Sequence, residues 1–233
     1  MSPPPLPPTT PETESRTPWE SRRPGEFVAA LVETSTAVLL GPTDFFRRMP
    51  VAGGIGAPFG YAVVVGYAGL LAQAIYQALL QIGLGGTLAG LGRDGEVGQV
   101  LALVQGGVGL MIQVILGPII VTMGLFLGAG LYHVVLLLLG GALRDFEATF
   151  RVVAYSQAVS ALLLLPLCGG LVAFWWWLAL LTIGLAEAHG IGRGKSLMVV
   201  LLPIVFACCC CGALAGLLGL GIGGIASLAQ LAR

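Results

Sequence analysis

Residues 97–143 read VGQVLALVQGGVGLMIQVILGPIIVTMGLFLGAGLYHVVLLLLGGAL, about 47 residues without one Asp, Glu, Lys or Arg. A helix needs about 20 apolar residues to cross a hydrocarbon core of about 30 Å, so this stretch exceeds a single crossing. From Pro58 onward charge is confined to three islands, Arg93–Glu96, Arg144–Arg151 and Glu187–Lys195, plus Arg233, and the other apolar stretches run roughly 34, 35 and 37 residues. Soluble domains carry charge on roughly a quarter of their residues. This chain carries it on 9%, with mean hydropathy +0.95. Lipid supplies no hydrogen bonds, so a spanning backbone is helical or part of a closed barrel. Runs such as Val134–Leu139 and Ala161–Leu165 lack the alternation of a barrel strand. The fold class is all-α, a polytopic membrane helical bundle.

The quoted stretch admits two readings: one long tilted helix after a re-entrant or interfacial piece over residues 98–116, or two spans broken near Gly117 and Pro118. Charge favours the first. With one crossing, Arg47, Arg48, Arg144, Arg151, Arg193 and Lys195 share the inner side, whereas with two the last four move outside, against the positive-inside bias. Residues 152–186 would extend about 52 Å as one helix, and Pro166, Gly169 and Gly170 supply turn chemistry in their middle. They read as two short spans, with Trp175, Trp176 and Trp177 placed past the turn either as an aromatic belt or against other helices. Adding a first span over Phe59–Ile82, a Gly-rich loop over Gly83–Gly98 and a last span from Ser196 to Leu218 gives five transmembrane helices. The N-terminus is cytoplasmic and the C-terminus outside. The start of the chain lacks a basic, apolar signal-peptide pattern, and a multi-pass protein of a cell (plasma or inner) membrane is expected.

Three regions follow. Residues 1–25 hold eight of the fourteen prolines and few aliphatic side chains, the composition of a disordered Pro-rich tail. Residues 26–57 form a juxtamembrane helix and anchor: Phe27, Leu31 and Val38 recur at helical spacing, Pro42 ends the helix, and Phe45, Phe46, Arg47 and Arg48 suit an interface. The helix either docks on the membrane domain or lies in the interface. Residues 58–228 form the membrane domain.

Few residues carry chemistry. Gln73, Gln77 and Gln81 stack on one face of the first span, and amides in lipid must face protein or water. His133 lies inside the second span, where an ionisable group is a functional candidate; a small-solute path using this glutamine face and His133 is the alternative function. His133, His189 and Glu187 have no metal-ligand spacing. Cys208–Cys211 spread around their helix and read as packing residues. The pairs Gly124/Gly128, Gly212/Gly216 and Gly219/Gly223 would permit close helix approach. No catalytic, cofactor-binding or metal site is expected. With zero net charge, the expected partners are the lipid bilayer and other membrane proteins, including copies of the same chain, and no nucleic acid.

The most specific stretch is Leu143–Gln157, LRDFEATFRVVAYSQ. Asp145 can cap a helix, Glu147 sits in its first turn, and Glu147 pairs with Arg151 at i, i+4. Phe146, Glu147, Arg151, Tyr155 and Ser156 are the candidate partner or assembly residues. This block, with Trp19-Glu20, the Pro42 to Pro50 anchor, Leu131 with His133, and Pro166 before an apolar span, resembles the Yip domain family over roughly residues 40 to 205, in particular its bacterial branch. The resemblance implies a five-span bundle and a non-enzymatic role. Eukaryotic relatives act in vesicle trafficking and membrane shaping through Ypt/Rab GTPases and one another. This short Pro-rich tail lacks their acidic motif, so Rab binding is not carried over.

Overall fold

A computed structural model describes residues 16–88, 107–165 and 168–231, with side chains at 16–79, 109–165 and 168–213. The expectations for residues 1–15, the Arg93–Glu96 island, residues 98–106, Pro166 and Arg233 lie outside the described residues, as do the side chains of Gln81, Gly216, Gly219 and Gly223. Seven helices succeed one another among the described residues: α1 (Phe27–Leu40), α2 (Pro42–Arg48), α3 (Gly56–Leu88), α4 (Gly107–Leu138), α5 (Phe146–Ser156), α6 (Gly169–His189) and α7 (Arg193–Leu231). A 3₁₀ segment, Gln157–Leu164, continues α5. Gly83–Leu88, expected in a loop, extends α3 instead. Four spans are long and apolar enough to cross a bilayer: Gly56–Leu79, Gly109–Leu138, Gly169–His189 and Arg193–Ala213. Helix α5 with its 3₁₀ continuation reaches about 32 Å at 1.5 and 2.0 Å per residue, the length of a fifth crossing.

Polarity decides which crossing goes inside. The least apolar, α5 with its 3₁₀ segment, sits at the centre: residues 148–156 are all buried, Thr149, Arg151 and Ser156 among them. The outermost are the most apolar. The α4 and α7 spans have mean hydropathy 2.3 and 2.4 and are 11% and 17% buried, against 1.5 and 1.7 with 33% and 44% for α3 and α6. Lipid solvates leucine as well as protein does, so the order of burial follows the need to hide hydrogen-bonding groups.

Helix α4 is continuous through Gly117 and Pro118, so the single-helix reading holds. Proline at 118 deprives the Val114 carbonyl of its usual i+4 amide donor. The Tyr67 hydroxyl on α3 donates to that carbonyl at 2.7 Å. Gly117 makes room for the repair, since a Cβ there would stand 2.6 Å from the Tyr67 ring. The close approaches in this bundle are of that kind. A Cβ at Gly69 would meet Ser160 at 2.6 Å, and one at Gly184 would meet Val152 at 2.5 Å and Phe46 at 3.1 Å. Gly124, Gly128 and Gly212, expected to serve helix packing, have nothing closer than an ordinary contact at 3.9 Å.

The amino-terminal boundary also moves. Residues 16–25, assigned by composition to the tail, include a turn at Thr17–Ser21 that folds onto the bundle, and Trp19 is 2% exposed. Helix α1 docks through Ala30, Thr34 and Val38 rather than lying free in the interface. Trp175 and Trp176 face outward, as a belt requires, while Trp177 turns inward with its ring 6.4 Å from Tyr132.

Candidate functional site

Nearly every described charge from α2 onward gathers at one end of the bundle, and the amino-terminal turn is bolted there. Arg151, 1% exposed, projects from the central helix between two carboxylates. Its guanidinium binds the Glu20 carboxylate directly and lies 3.7 Å from Glu147. It also donates to the Gly54 carbonyl at 2.8 Å, while the Gly54 amide donates to Glu147 at 2.6 Å. Gly53 and Gly54 can present both backbone groups because they adopt φ of 120° and 93°, open chiefly to glycine. One turn on, the Tyr155 hydroxyl donates to Glu20 at 2.7 Å, so Thr17, 2.9 Å away, must donate to Tyr155.

Trp19 completes the clamp. Its amide donates to Thr34 at 2.9 Å and its indole N–H to the Ala57 carbonyl at 2.7 Å, and its ring meets Phe27 and Tyr61 edge-on. A buried arginine is tolerated only when paired and hydrogen-bonded. Here the amino-terminal turn supplies the main pairing, so folding of the centre and docking of residues 16–22 are one event.

A second cluster joins three helices. The only two histidines in the chain, His133 on α4 and His189 at the end of α6, meet on Thr149 of α5, each 2.9 Å from its hydroxyl oxygen. The direction of every bond follows from donor counting. The Arg144 amide donates to His189 Nδ1 at 3.2 Å, so the His189 proton sits on Nε2 and points to Thr149. The single threonine hydrogen then goes to His133 Nδ1. Both imidazoles are neutral in this arrangement. Phe146 packs edge-on against His133 at 5.6 Å, and Phe150 stacks toward Phe126 at 4.9 Å, closing the cluster on its apolar sides.

The rim is ionic and exposed. Arg47 of α2 lies 3.4 Å from Glu187, which raises the Arg47 guanidinium pKa above its ordinary value by its hydrogen bond and then by its charge. Arg193 joins them at 3.9 Å from Glu187 and 3.4 Å from Thr43, and Lys195 donates to the Gly140 carbonyl at 2.8 Å.

Of the candidate assembly residues, the structure gathers Glu147, Arg151 and Tyr155 around the Glu20 joint, with Arg151 and Tyr155 buried and Glu147 half-buried, and puts the half-buried Phe146 in the histidine cluster. Ser156 is buried too, its hydroxyl without a partner among the described residues. Asp145 occupies the N-cap position without a side-chain cap bond. Gln73 and Gln77 are exposed and lie about 26 and 32 Å along α3 from Gly56, at the end opposite His133. Among the described residues no group of three His, Cys, Asp or Glu could hold a metal ion.

A family model, the Yip1 domain, matches residues 36–215. The chain belongs to the Yip1 domain family. No curated protein and no solved structure matches it. In this Yip domain the specific sequence block is the central helix, and its Glu147, Thr149, Arg151 and Tyr155 side chains form internal joints. Two participants escaped spacing arguments altogether: Glu20 lies 131 positions from Arg151, and His189 lies 40 from Thr149. The available signal was Trp19-Glu20 itself, an aromatic and an acid inside a proline-rich stretch.

Proposed function

We propose that this Yip domain is a non-enzymatic organiser of a plasma or inner membrane, capturing partner proteins at its charged, cytoplasmic face. The carrying observation is the Glu20–Arg151 joint. It fixes the root of the amino-terminal segment, from Arg16 onward, on the central helix at the end of the bundle where Leu143, Arg144 and Asp145 are exposed. The cytoplasmic assignment of this end follows from its cations, Arg47, Arg48, Arg144, Arg193 and Lys195, by the positive-inside bias. Family membership supports a role without turnover, and exposed apolar surfaces on α4 and α7 leave room for lipid, other spans or a second copy.

Photo-reactive side chains placed at Leu143, at Asp145 and within the tail, activated in intact membranes, test the reading. Specific protein adducts are expected from the tail and the α4–α5 loop and should fall when Glu20→Gln uncouples the root. Adducts no more abundant than from a lipid-facing position such as Val205 would refute it.

A further inference from the structure

Beside the Trp19 clamp, a cavity of about 440 Å³ opens where the amino-terminal turn, the end of α1 and α2 meet. Its floor is apolar, made by Ala37, Leu40, Phe45 and Met49. Among the described residues its polar rim holds two cations, Arg16 and Arg48, and one anion, Asp44. We propose that this cavity binds an anionic phospholipid of the cytoplasmic leaflet, the phosphate on the arginine rim and the first part of an acyl chain over the floor. The proposal goes beyond partner capture and stands without it.

Three observations favour a lipid over a soluble anion. Apolar floor contributes nothing to a free phosphate, but covers methylenes. The outer side of the neighbouring α1 exposes Val28 at 68% and Val32 at 56%, with Glu33 the helix's one charge, so an acyl chain leaving the cavity would meet apolar surface. The rim stands beside the Arg47–Glu187–Arg193 cluster, at the cationic end of the bundle that the positive-inside bias assigns to the cytoplasmic headgroups. A guanidinium has five N–H donors, so each arginine can serve a phosphate beside a partner within the chain.

The test uses the full chain in nanodiscs of phosphatidylcholine and phosphatidylglycerol, with retained lipid read by native mass spectrometry after extraction. Wild type is expected to retain phosphatidylglycerol in preference. Arg16→Gln and Arg48→Gln should each reduce that preference about fivefold, Ala37→Phe should expel both lipids, and Arg47→Gln, a cation of the same end outside the cavity, should reduce it clearly less. A benzophenone side chain at Thr36, which also lines the cavity, should label lipid. The proposal fails if Arg16→Gln and Arg48→Gln behave like Arg47→Gln. It also fails if inorganic phosphate alone displaces the lipid, or if Thr36 labels the protein's own tail or a second copy instead.

Discussion

The central crossing carries Thr149, Arg151, Tyr155, Ser156 and Ser160 and buries every one, whereas α7 carries Cys208–Cys211 and leaves all four thiols on the outer surface. In water the same two segments would exchange places, because exposed polar groups cost nothing and exposed leucines do. In a bilayer the apolar wall is already solvated, and what selects the centre is unsatisfied hydrogen-bonding capacity. The contrast also says where tolerance to change lies. Substitutions on the outer face of α7 alter contacts with lipid, while substitutions on α5 break joints whose other halves come from distant parts of the chain.

Arg151→Met should break the contrast most severely. It leaves the Glu20 carboxylate buried against an apolar side chain and frees the amino-terminal turn, for a loss of about 3–5 kcal/mol in reversible unfolding from mixed micelles. Leu201→Ala on α7, 36% exposed, should stay within about 0.5 kcal/mol of wild type. If the two variants unfolded together, burial would not distinguish the crossings.

Thr149→Val comes next. It keeps the shape but removes the hydroxyl that accepts from His189 and donates to His133, which should cost about 1–3 kcal/mol. Thr149→Ser should retain most of the stability. Imidazole nitrogen NMR offers a sharper readout: His133, whose Nδ1 accepts the Thr149 proton, should hold one tautomer in wild type and Thr149→Ser and lose it in Thr149→Val, while His189 keeps its Nε2 proton because the Arg144 amide still occupies Nδ1. An unchanged spectrum would mean that Thr149 does not orient the ring.

The bundle was legible in the sequence because its cause is compositional. Charge islands and apolar lengths gave the class, the turn between the 3₁₀ segment and α6, and the single crossing of α4. The joints were legible only in half. Glu147 and Arg151 share a helix face and could be paired by spacing, but the decisive carboxylate, Glu20, arrives from a stretch whose prolines argue for disorder. His133 was flagged for being ionisable in a span, while His189 looked like an ordinary helix end. Small-residue repeats misled for a related reason: a glycine pair marks the possibility of close approach, and only the partner surface, such as the Tyr67 ring at Gly117, realises it. Glutamine spacing likewise identified a face without its depth, and the depth places that face near the opposite end of the bundle.

The smallest effect should be the most informative about α4. Tyr67→Phe leaves the Val114 carbonyl with neither an amide nor a hydroxyl donor, and interhelical hydrogen bonds in membranes are worth about 0.6–1.7 kcal/mol. Pro118→Ala returns the amide that proline removed. If Tyr67 repairs the proline gap, Tyr67→Phe should cost about 1 kcal/mol alone and close to nothing in the Pro118→Ala background, a coupling that a double-mutant cycle isolates. Equal cost in both backgrounds would mean that the tyrosine contributes through ring packing alone. The continuity of α4 through Pro118 would then owe nothing to α3.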